Sequence, residues 1–206
     1  MTSTPHIKQA RLPRAERRAQ LLAAAHTVFA ERGYHAAAMD DIAEAASVSK
    51  PVLYQHFPGK RELYLALLDS ELTELQDRLT DAVRGTDDNA ERVLATVRGY
   101  FDYMASESGS HRLVFSSDLA NDPDVATRIS AFESAIGAEI GKIIEAQAGL
   151  EPDAAELLGH ALAGAAETAA LRWVDEPSVP LEEAVMLVTR LAWRGIAWFP
   201  KDSSEA

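Results

Sequence analysis

The stretch SVSKPVLYQHFPGK, Ser47–Lys60, decides how this chain reads. It holds no Asp or Glu, although the chain of 206 residues carries a net charge of −12. Ser49 suits the N-cap of a short helix over 50–57, where a hydroxyl can accept from first-turn N–H groups. Pro51 falls in that first turn, where a missing N–H removes no intrahelical bond. Pro58-Gly59 stops the helix. Leu53 and Phe57 are four apart, so they share one face and point inward with Val48. Lys50, Pro51, Val52, Tyr54 and Gln55 are left on the other surfaces.

Just upstream, Met39, Ile42, Ala43 and Ala46 mark another short helix. Asp40 and Asp41 sit in its first turn, where negative charge suits the helix dipole. Two short helices joined by Ser47-Val48-Ser49 follow the grammar of a helix-turn-helix. In that motif the second helix lies in the major groove and reads base edges with its N-terminal residues. Ser49, Tyr54, His56 and Lys60 carry the right donors for phosphate, contacts that position without specifying. Lys50 and Gln55 can hydrogen-bond base edges, and Pro51 and Val52 can touch thymine methyls.

Further out, Leu21, Leu22, Ala25, Val28 and Phe29 repeat at helical spacing. They predict a helix over 14–32, opened by Pro13 and closed by Gly33. Beyond Lys60, helices are expected over 60–84, 89–106, 111–120, 124–148, 153–174 and 181–198. No segment alternates with period two, so the fold class is all-α. The expected organisation is a disordered basic arm (1–12), a three-helix helix-turn-helix domain (13–59) and a helical regulatory and dimerisation domain (60–200).

Charge divides the same way. Residues 1–62 hold nine Lys/Arg against six Asp/Glu, which leaves −15 for the remainder. A basic head can meet a polyanion while an acidic body is repelled. The absence of cysteine rules out disulfides and thiolate chemistry. The polar, basic start lacks the apolar centre of a secretory signal, and no apolar run is long enough for a membrane span, so a cytoplasmic protein is expected. The six His form no His-Glu-x-x-His pair, and no glycine-rich phosphate loop or nucleophile elbow occurs. Neither an enzyme, a cofactor nor a metal site is expected. A helical small-molecule-binding or scaffold protein without DNA activity remains the alternative.

Residues 17–64, RRAQLLAAAHTVFAERGYHAAAMDDIAEAASVSKPVLYQHFPGKRELY, resemble the N-terminal domain of TetR-type transcriptional regulators. The resemblance implies a homodimer on palindromic operator DNA, with a small-molecule effector in the C-terminal domain. It also implies DNA contacts at Met39, Ser49, Lys50, Pro51, Val52, Tyr54, Gln55, His56 and Lys60. One departure stands out: the family commonly has Thr before the second helix, where this chain has Ala37 and Ala38. Loss of such a cap costs roughly 1 kcal/mol.

In the body, aromatic and Met residues cluster at helical spacing. Phe101, Met104, Leu113, Phe115, Phe132 and Trp173 are the expected lining of an apolar ligand cavity, the usual place for a site in a helical bundle. The alanine-rich helix at 153–174 and the apolar stripe at 181–198 are expected to form a four-helix interface with a second subunit. The helix at 60–84 is the expected lever between effector and DNA, and 108–115 the expected moving part. LPRAERRAQLL, SKPVLYQHFPGKRELYLALL, HRLVFSSDLANDPDVA and LRWVDEPSVPLEEAV also resemble an actinobacterial TetR-type subgroup that controls fatty-acid synthesis and senses long-chain acyl-CoA. That likeness implies a long apolar tunnel, with Arg112 or Arg128 at its mouth meeting phosphates.

Overall fold

The computed structural model describes residues 12–106, 108–115, 118–119 and 121–196. The expected basic arm, apart from Leu12, and the chain beyond Ile196 lie outside them. Among the described residues there are nine helices and no strand. They divide into two compact units, Met1–Leu67 and Leu68–Ala206.

The first unit holds α1 (Arg14–Ala36), α2 (Met39–Ala45), α3 (Lys50–His56) and the start of α4 (Lys60–Arg84). Its core is built from the periodic residues of α1, Leu21, Ala25, Val28 and Phe29, with Ile42, Leu53, Phe57 and Leu63, all buried. Tyr34 and Tyr64 enclose Phe29, with ring centroids 5.9 Å and 5.5 Å from it. Gly33 breaks α1 at φ 73°, a left-handed conformation that favours glycine, and one further turn follows it. Between α2 and α3, Ser47 adopts φ 52°, left-handed backbone held by a residue with a Cβ.

Two helix starts differ from the sequence expectation. Ser49 occupies the N-cap of α3, but its hydroxyl makes no capping bond. Pro51 removes one of the two N–H groups a cap normally engages, and the other, of Val52, donates to the Ser49 main-chain carbonyl at 2.9 Å. At α2, Ala38 offers no side-chain acceptor. The reciprocal half of a capping box survives: the Asp41 carboxylate accepts from the Ala38 N–H at 3.1 Å.

The second unit holds the rest of α4 with α5 (Asn89–Met104), α6 (Ser110–Phe115), α7 (Pro123–Ala148), α8 (Pro152–Asp175) and α9 (Leu181–Ile196). Asp88 caps α5 and Asp122 caps α7, each accepting from two first-turn N–H groups. The helix expected over 111–120 is shorter, ending at Phe115. The small residues of α8 serve an intrachain contact. Ala155, Gly159, Ala163, Ala166 and Ala170 are its buried face, and α7 presents Gly137 and Gly141 to it. A Cβ on Gly159 would sit 2.1 Å from the Gly137 carbonyl oxygen and 2.6 Å from the Gly141 nitrogen, so the two backbones touch. The Arg98 guanidinium clamps α5 to α9 through both oxygens of Glu182, at 2.8 Å and 2.7 Å.

Candidate nucleic-acid interface and body cavity

Burial of Leu53 and Phe57 turns the rest of α3 outward. Pro51, Tyr54 and Gln55 are exposed, Tyr54 by 47 %, while Val52 and His56 are half-buried. Ser49 and Lys50 are exposed at the helix start. Seven of the nine expected contact residues therefore share one short helix and its cap.

The other two are placed differently. Met39 is buried beside Ile42 and Ala43, so its side chain belongs to the core of the head. Lys60 opens α4, and its ammonium turns toward the end of α1. It donates to the carbonyl oxygens of Tyr34 at 2.8 Å, Ala37 at 2.9 Å and His35 at 3.3 Å. It also lies 4.5 Å from the centroid of the Tyr34 ring. The chain beyond Gly33 leaves carbonyls without helical partners, and a cation satisfies them with favourable charge.

Lys50 is also engaged within the chain. Its Nζ donates to Asp40 Oδ2 at 2.6 Å, an ion pair between α3 and α2. That hydrogen bond is the first reason its pKa stands above the ordinary value. The neighbouring Asp41 faces Arg32, 2.8 Å away.

Basic residues at the start of α1 complete the surface. The His56 pKa is lowered, first by burial and then by the charges of Arg14, Arg18 and Arg17. The Arg18 guanidinium lies 4.5 Å from the centroid of the Phe57 ring. Arg18 thus sits beside the C-terminal end of α3, and the charges of Arg14 and Arg17 are felt there. Sequence reading counted these arginines in the charge balance but did not place them at the site. The run RAERR after Pro13 was the available signal.

The body contains a cavity of about 420 Å³ between the end of α4, α5, α7, α8 and α9. Its lining is mostly aliphatic, including Val93, Val97, Ile140, Ile143, Ile144 and Leu162, with Trp193 from α9. Polar groups are few: Asn89, Arg92, Thr96 and Gln147. Arg92 is fixed by the Val83 carbonyl at 3.0 Å, Asn89 Oδ1 at 2.6 Å and Asp87 at 3.2 Å. None of the six expected ligand residues lines this cavity. Phe101, Met104, Leu113 and Phe132 are buried elsewhere in the body and Phe115 is half-buried. Trp173 stacks obliquely on Phe101 at 5.8 Å and donates to the Val179 carbonyl at 2.8 Å. Arg128 pairs with Asp69 at 2.7 Å, and neither it nor Arg112 lines the cavity. Periodicity marks these aromatics as inward-facing but cannot tell a packed position from one facing a void.

Residues 21–67 match the family of bacterial regulatory proteins called the tetR family, and residues 90–195 match the Tetracyclin repressor-like C-terminal domain. The chain belongs to the tetR family. It is a DNA-binding transcription regulator with a helix-turn-helix head, as the sequence reading anticipated. It is 41% identical to the HTH-type transcriptional activator FasR of Mycolicibacterium smegmatis over 92% of this chain and 87% of that protein. A TetR-like regulator from Rhodococcus sp. RHA1 superposes with a TM-score of 0.71 at 29% identity, covering 91% of this chain and 100% of that one. FadR of Bacillus subtilis, solved in complex with stearoyl-CoA, shares the fold with a TM-score of 0.67 at 18% identity. It covers 84% of this chain and 96% of that one. Among the described residues, no cluster of three or more His, Asp or Glu could hold a metal. No helix among them is long and apolar enough to cross a membrane.

Proposed function

We propose that this regulator binds palindromic operator DNA as a homodimer and responds to an apolar, acyl-type effector, with long-chain acyl-CoA the foremost candidate. The DNA face consists of Ser49, Lys50, Pro51, Val52, Tyr54, Gln55 and His56, joined by Arg14, Arg17 and Arg18. The Ser49 hydroxyl, which caps nothing, is available to a phosphate, and the arginines add phosphate contacts beside α3.

The observation that carries the effector reading is the cavity of about 420 Å³ with its aliphatic lining. Small-molecule pockets span about 300–1,000 Å³ and are mainly apolar with a few orienting polar groups. FadR of Bacillus subtilis in complex with stearoyl-CoA supports the acyl class, since this chain shares its fold. The 41% identity to the transcriptional activator FasR supports the regulator reading. The dimer reading rests on an exposed apolar face: Leu157 of α8 is 70% exposed and Leu191 of α9 is 73% exposed, with Met186 and Leu187 beside it. Such side chains on two long helices fit a four-helix interface with a second copy. Effector binding shifts the population between DNA-competent and incompetent dimers, with a coupling of about 1–3 kcal/mol. The helix α4, which belongs to both units, is the lever.

The test uses purified dimer, stearoyl-CoA, free CoA, and a duplex enriched by the protein from a random pool. The expected result is a raised Tm and an altered duplex affinity with stearoyl-CoA but not with free CoA. Replacement of Val93 of α5 by Phe, filling the cavity, removes the response and leaves DNA binding. A Tm and an affinity that ignore stearoyl-CoA overturn the effector class. A protein that sediments as a monomer overturns the dimer.

A further inference from the structure

We propose that Asp40 is a specificity-determining residue: it holds the Lys50 ammonium away from phosphate, so that Lys50 engages DNA productively only where a base edge repays its release. The inference rests on the DNA face described above and goes beyond it, because Asp40 is a carboxylate on that face whose other part in the fold is the favourable charge it brings to the first turn of α2.

Asp40 and Asp41 are neighbours in the first turn of α2 but do different things. Asp41 is tied into the fold, accepting from the Ala38 N–H at 3.1 Å and pairing with Arg32 at 2.8 Å. Among the described residues Asp40 has one partner, Lys50 Nζ at 2.6 Å, and both side chains are 61% exposed. An exposed pair of this kind contributes little to stability, so the fold does not require Asp40. A carboxylate facing duplex DNA is repelled by the backbone. Its placement makes sense through Lys50, the first residue of α3, where base-reading side chains sit.

On an arbitrary sequence, the gain available to Lys50 is one phosphate contact. Taking it breaks the pair and leaves Asp40 uncompensated beside the polyanion, so the exchange is nearly neutral. On the matching sequence, a base such as guanine offers two acceptors to a lysine in the major groove. The release is then favourable. Asp40 therefore lowers affinity for all duplexes but lowers it most for the wrong ones. The ratio of specific to non-specific affinity is what a regulator searching a genome requires.

The experiment compares wild type, Asp40→Asn, Lys50→Gln and the double variant. It uses the duplex enriched from a random pool by the wild type and a scrambled duplex of equal length, from 50 to 300 mM salt. Circular dichroism and Tm confirm that each variant is folded. Asp40→Asn is expected to tighten binding to the scrambled duplex by roughly 3- to 10-fold and to steepen its salt slope by about 0.9, one added phosphate contact. The enriched duplex should gain less, so the specificity ratio falls. In the Lys50→Gln background the slope change disappears. Unchanged binding of the scrambled duplex overturns the inference. Weakened binding of the enriched duplex alone also overturns it and makes Asp40 a direct acceptor from a base. If the wild type enriches no duplex, the DNA face itself is wrong, a failure distinct from the other two.

Discussion

The Nζ of Lys60 donates to the carbonyl oxygen of Tyr34 at 2.8 Å, joining the first residue of α4 to the end of α1. With Ala37 and His35 also bound, the ammonium gives its donors to main-chain carbonyls. A lysine used this way orders the head and does not neutralise a phosphate. Lys60→Met is therefore expected to lower unfolding free energy by about 1.5–3 kcal/mol, the range for hydrogen bonds to charged groups. Operator affinity falls with the misplaced head, but the salt slope stays at the wild-type value. A lysine at the phosphate gives the opposite pattern, a slope reduced by about 1 with stability unchanged. Denaturant titration and salt-dependent binding, done on the same samples, separate the two.

Ser47 holds the turn between α2 and α3 at φ 52°. A side chain in left-handed backbone costs roughly 1–2 kcal/mol, a penalty glycine does not carry. Ser47→Gly is expected to raise stability by up to about 1 kcal/mol, because the added freedom of the unfolded chain offsets part of the gain. For a protein of this length that is about 2–4 °C in Tm. Scanning calorimetry decides it, and an equal or lower Tm contradicts the strain.

Glu167 of α8 is half-buried, and its pKa is pushed up to about 7 by that burial first and by the charge of Glu133 second. The Tyr100 hydroxyl is buried in the same neighbourhood, without a hydrogen-bond partner among the described residues. The folded state thus holds a proton that the unfolded chain releases near 4.5. Its stabilising contribution is complete below about 4.5 and is lost as pH rises through about 7. Wild type should lose stability across that window relative to Glu167→Gln, which carries no titrating group. Parallel pH–Tm curves for the two proteins contradict it.

Most of the fold was legible because its signals are local. The periodic residues of α1, the three-residue break before α3 and the Pro-Gly stop after it each appear in a few adjacent letters. The face of α3 followed from the burial of Leu53 and Phe57. What stayed hidden depends on distance in sequence. Lys60 and Tyr34 are 26 residues apart, and no periodicity links an ammonium to the end of another helix. The Lys50–Asp40 pair crosses a turn whose geometry comes from Ser47. The cavity was hardest of all. Trp173 and Trp193 look alike as inward aromatics, yet one packs on Phe101 and the other borders a void.

The backbone contact of Gly159 with Gly137 and Gly141 joins two of the helices that surround the cavity. Where glycine meets glycine there are no side chains to compress or re-rotate, so α7 and α8 behave as a single stiff plate. Room for the proposed guest therefore has to come from the side chains that face the void, among them Val93 and Val97 of α5, Ile140, Ile143 and Ile144 of α7, and Trp193 of α9. Changes among those lining side chains are the ones expected to tune what the chamber accepts, while a side chain added at Gly159 breaks the helix pair before it alters the chamber.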